Sequence, residues 1–209
     1  IGTATAAAWG LTSTVEAYAI PCLGQDHGDA PVSYGDAAHS VINPSTVYLG
    51  TNAPDTEASA SAPLDGTGDD VTGTDDEDGV VIPQMWAGAQ TQLSVKVNGT
   101  GGYLQAWFDW NGDGDFADAG EQVATNLQDA TAASTSDLNP AAGTIDFVVT
   151  PPLNAVLTKT YARFRWSTTQ NLTPTGTASD GEVEDYALTI QAPPTQACTN
   201  TAWYATNPT

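Results

Sequence analysis

The sequence predicts an all-β fold, an antiparallel β-sandwich with long acidic metal-binding loops. Three observations point there. Helical periodicity is weak throughout. β-Branched and aromatic residues fall in short alternating runs, separated by many of the 20 glycines and 13 prolines. Acids gather in the intervals between those runs, 25 against four bases, for a formal net charge of −21. The 209 residues suffice for one large β-domain or two small ones.

Residues 1–22 read as an N-terminal strand-like arm, rich in Ala and Thr and bearing Trp9, Val15 and Tyr18, with a strand expected over Thr14–Ile20. Residues 23–191 read as the domain. Its first part, 23–80, is acidic, Gly/Pro-rich and weakly periodic, so a long ordered loop region is expected there, held by metal and not by a core. Its second part, 81–191, carries the core strands: Gln92–Val97, Tyr103–Asp109, Glu121–Ala124, Gly143–Thr150, Thr160–Ser167 and Asp185–Gln191. Alternation places Leu104, Ala106 and Phe108 toward the core, with Ala162, Phe164 and Trp166 facing them. Tyr161, Arg163 and Arg165 then lie on the opposite face. Residues 192–209 form a tail that opens with the linker-like Ala-Pro-Pro.

The densest chemistry is Asp-Trp-Asn-Gly-Asp-Gly-Asp-Phe-Ala-Asp-Ala-Gly-Glu at 109–121. Oxygen side chains recur at Asp109, Asn111, Asp113 and Asp115, Gly114 permits a tight turn, and Glu121 can close the loop. Calcium takes six to eight oxygen ligands, and acids at alternate loop positions supply them. Glu121 falls one place later than in the helix–loop–helix version, and the flanks read as strands. A solvated acidic turn without metal is the competing reading.

Further acids stand at Asp69, Asp70, Asp75, Asp76 and Asp78, ahead of the apolar Val80-Val-Ile, and at Asp26, Asp29, Asp36, Asp55 and Glu57. Part of Asp69–Asp78 is expected to join residues near Glu182–Asp185 or Asp26–Asp29 in a second cation site. Asp75, Asp76, Asp78 and Asp185 are its candidate ligands. Glu182 and Glu184 alternate around Val183, so an ion-pair ladder with Arg163 and Arg165 on a neighbouring strand is expected, contributing about 0.2–1 kcal/mol per pair at a surface. A merely solvated rim is the alternative for the acids as a group.

Composition excludes several classes. So negative a chain does not bind nucleic acid, which requires a cationic surface. No apolar run approaches the roughly 18 residues of a membrane span, so membrane insertion is not expected. The scarcity of Lys and Arg and the start at Ile1 suit a processed protein secreted or held at the cell surface. Cys22 and Cys198 are the only cysteines; in that setting one disulfide is expected, with two buried thiols as the alternative. No Gly-x-Ser-x-Gly or His-Glu-x-x-His pattern occurs, and acids this plentiful make any catalytic pair uninformative.

The ordered motifs resemble the GEVED domain family, named for the string at Gly181–Asp185. They are Gly28-Asp-Ala-Pro, Tyr34-Gly-Asp, Tyr48-Leu-Gly, Asp55 with Glu57, Gly68-Asp-Asp, Thr74-Asp-Asp-Glu-Asp-Gly-Val, Trp107-Phe-Asp-Trp-Asn-Gly-Asp-Gly-Asp-Phe and Arg163-Phe-Arg. His27 stands where the family usually has tyrosine. The resemblance implies a β-sandwich module of large secreted or surface-anchored bacterial proteins, including adhesin-like ones, and implies no settled activity. The expected function is therefore an extracellular, Ca2+-binding structural or adhesion protein that extends to a self-assembling surface or filament subunit. The alternative is a calcium-dependent module binding a peptide or carbohydrate, and a secreted hydrolase ranks third. The expected partner is a second copy of the chain or an extracellular ligand. The arm can fold back on its own domain or add to a neighbour's sheet edge.

Overall fold

In the computed structural model, residues 24–42, 45–60, 63–68, 76–130 and 136–193 are described. The expected strand at Thr14–Ile20, both cysteines, Asp69, Asp70, Asp75 and most of the tail lie outside the described residues. The fold is all-β, with one 3-10 turn at Val32–Tyr34. No helix among the described residues is long and apolar enough to cross a membrane.

The strands are β1 (Gly24–His27), β2 (Ala37–Val41), β3 (Tyr48–Leu49), β4 (Val80–Val81), β5 (Met85–Trp86), β6 (Thr91–Asn98), β7 (Tyr103–Phe108), β8 (Gln122–Leu127), β9 (Thr144–Val149), β10 (Lys159–Ser167), β11 (Gly176–Ala178) and β12 (Glu182–Gln191). The central sheet runs β5-β12-β10-β7-β8. A second sheet is built on β6, which pairs β3 and β4 along one side and β9 along the other. β6 shows why the two face each other: Leu93, Val95 and Val97 are buried, while Gln92, Ser94 and Lys96 between them are exposed. Those three pack in one cluster with Ile145, Phe147 and Val149 of β9, Leu104, Ala106 and Phe108 of β7, and Ala162, Phe164 and Trp166 of β10. Each such large apolar side chain contributes about 1.5–3 kcal/mol by leaving water. Phe108 stacks on Trp110 at 4.6 Å and meets Phe164 edge-on at 5.8 Å.

Two expectations are corrected. Pairing is not wholly antiparallel: β5 runs parallel to β12, and β11 runs parallel to β2. Residues 23–80 are also more than a loop region without a core. β1 and β2 pair with β11 in a third, three-stranded sheet. It covers the outer face of β10 and β12, where Ala30, Tyr34, Trp107, Phe116 and Tyr161 form a second apolar cluster. The sequence hid these strands because β2, Ala-Ala-His-Ser-Val, is buried at nearly every position and shows no alternation. Consequently all of β10 from Thr160 to Ser167 is buried, on both faces.

Candidate functional site

Register decides what each face of β10 and β12 carries. Arg163 stands opposite Asp185, Phe164 opposite Glu184, Arg165 opposite Val183 and Trp166 opposite Glu182. The two arginines and the two glutamates therefore occupy opposite faces, and the expected surface ladder among Arg163, Arg165, Glu182 and Glu184 does not form. Arg163 instead grips Asp185 through Nε and Nη2, both at 2.7 Å, with both side chains fully buried. Its Nη1 donates to the carbonyls of Gly35 and Pro174. Arg165 donates through Nε to His39 Nε2 at 2.9 Å and through its remaining nitrogens to the carbonyls of Ala38, Thr173, Thr175 and Gly176. Burial works against the charge of Arg163, but Asp185 outweighs it and raises the guanidinium. Among the described residues no carboxylate pairs with Arg165; burial, with the charge of Arg163 beside it, lowers it to about 10. His39 is held well below its ordinary value by burial and by Arg165. Asp185, expected as a metal ligand, is thus the counter-ion of Arg163 and also accepts the Ala30 N–H at 2.8 Å.

Glu182 and Glu184 lie on the other face, and further acids gather around this end of β12. Glu182 accepts the Leu49 N–H, and Glu184 accepts the Gly79 N–H at 2.8 Å and the Tyr186 hydroxyl at 3.0 Å. Asp26 accepts the Val183 N–H at 2.7 Å, and Asp76 accepts the Asp55 N–H at 2.7 Å. Asp29 accepts the Gly68 N–H, and Glu77 accepts the Asp185 N–H at 3.1 Å. Asp78 holds the Thr51 N–H at 2.5 Å. Asp26, Asp29, Asp76, Glu182 and Glu184 are all at most 2% exposed. Burial, reinforced by the neighbouring carboxylates, raises Glu77 and Glu182 well above the ordinary glutamate range. Burial lifts Glu184 to about 8. Segments 26–29, 76–78 and 182–185, far apart in the chain, thus meet at this end of β12, where the sequence offers the first and last as alternative neighbours of the second. Gly181 shows why the motif begins with glycine: its φ is 97°, and a Cβ would strike the Trp166 carbonyl.

The 109–121 loop joins β7 to β8. Asp109 is fully buried and organises it: Oδ1 accepts the Gly112 N–H at 2.6 Å, and Oδ2 accepts the Gly114 N–H at 3.0 Å and the Tyr34 hydroxyl at 2.6 Å. Asn111, Asp113 and Asp115 are exposed, and each accepts the N–H two residues on. Phe116 folds back to lie 4.7 Å from Tyr34. Glu121 is buried, accepts the Trp110 and Asp118 N–H groups, and is raised to about 7, mainly by burial and further by Asp109 and Asp118. Asn111, Asp118 and Glu121 line one pocket with Trp110, Pro152 and Asn154.

Both places offer oxygen donors, the chemistry a hard divalent cation takes. Among the described residues no three His, Cys, Asp or Glu side chains are already drawn together as a metal shell. Glu77 and Asp118 are not singled out as ligands in the sequence, whereas Asp26 and Asp29 stand there as alternative contributors to the second site. Glu77 sits inside the Asp75-Asp-Glu-Asp run, which reads as acidic without distinguishing Glu77 from its neighbours.

The fold and these sites define an acidic, all-β module whose polar residues are organised around two arginines and a set of buried carboxylates. Residues 103–189 match the model of the GEVED domain family. No curated protein and no solved structure matches the chain.

Proposed function

We propose that this chain is a calcium-stabilised β-sandwich that serves as a structural or adhesion module outside the cell. One observation carries the reading. Glu182 and Glu184 are buried on a face that receives none of the described ion pairs, and the half-buried Glu77 adds its charge beside Glu184. Buried like charges are unfavourable unless they are protonated or joined by a cation. A calcium ion there would take oxygens from Glu77, Glu182 and Glu184 together with Asp26 and Asp76, replacing mutual repulsion with attraction. It would fasten the 76–79 segment and the three-stranded sheet to β12. Asp109, Asn111, Asp113, Asp115, Asp118 and Glu121 would supply a second, more exposed ion at the β7–β8 loop. Secretion fits the net charge of −21, which divalent ions would offset.

The test is calorimetric titration of the chelator-stripped protein with calcium, followed by thermal unfolding. Saturable binding and a raised midpoint are expected. No binding at millimolar calcium, with an unchanged midpoint, overturns the reading. A second reading, a calcium-dependent binding module, draws on the pocket that sets Trp110 and Asn154 beside Asn111, Asp118 and Glu121. Under that reading calcium would keep an open coordination position for a sugar or peptide oxygen, and glycan or peptide binding would be lost in chelator.

A further inference from the structure

We draw no further inference here: the strongest candidate, the pocket where Trp110, Asn111, Asp118 and Glu121 of the β7–β8 loop meet Pro152 and Asn154 of the β9–β10 loop, belongs to the site already described, and nothing in the structure shows what occupies it.

Discussion

Between Asp109 and Glu121 the acceptors are consecutive in sequence and mostly exposed, each answered by an N–H of the same turn. Around Glu182–Asp185 the acids arrive from three distant segments and are buried, answered by N–H groups of other segments. The first arrangement is complete within its own turn, so a cation there adds stability without being needed for the turn to form. The second brings like charges together where water cannot screen them, so it needs either protons or a cation. The difference teaches that the density of acids in the sequence does not by itself locate the carboxylates most in need of a counter-charge; burial among other carboxylates does.

Breaking the polar face of β10 should have the largest effect. Arg163→Ala leaves Asp185 buried without its guanidinium and should cost about 3–5 kcal/mol, read as a shifted denaturant midpoint. A loss below about 1 kcal/mol would mean that Asp185 is answered from the acidic face instead.

Next in size is Glu184→Gln, which separates proton from cation. Without calcium at pH 9 it should stabilise by about 1 kcal/mol, because glutamine stands in for the protonated acid. In saturating calcium it should destabilise, because a charged donor is gone. Stabilisation in both conditions would remove Glu184 from any cation site. The smallest effect belongs to the exposed loop. Asp113→Ala should change chelated stability by less than about 0.5 kcal/mol and lower calcium stoichiometry at the loop alone.

How much of this was legible follows from where each signal lives. The strands of the second half could be read because alternation survives where one face is solvated, as in β6. The 109–121 loop could be read because its chemistry is local. β1 and β2 could not, since both their faces are covered and their residues are short or polar. The Arg163–Asp185 pair was missed by one residue of register: Arg163 faces Asp185 and not Glu184, which moves Glu182 and Glu184 to the face opposite the arginines while the assignment of β10 stands. Convergence of segment 76–78 with 182–185 was legible from acid density, but the identity of Glu77 as a member was not, because a side chain's direction in a loop has no periodicity to reveal it.

The most direct test of the buried carboxylate centre is the thermal midpoint from pH 5 to pH 9, in chelator and in saturating calcium. Glu77, Glu182 and Glu184 are all raised in the folded state, so the folded protein holds protons that the unfolded chain releases. Their contribution is complete below the ordinary glutamate range and is lost as pH rises through the folded value, about 8 for Glu184. In chelator the midpoint should therefore fall steadily toward pH 9. Calcium should displace those protons and hold the midpoint level, with an advantage of about 2.7 kcal/mol at a hundred times the dissociation constant. Superimposable curves with and without calcium at pH 9 would contradict the account.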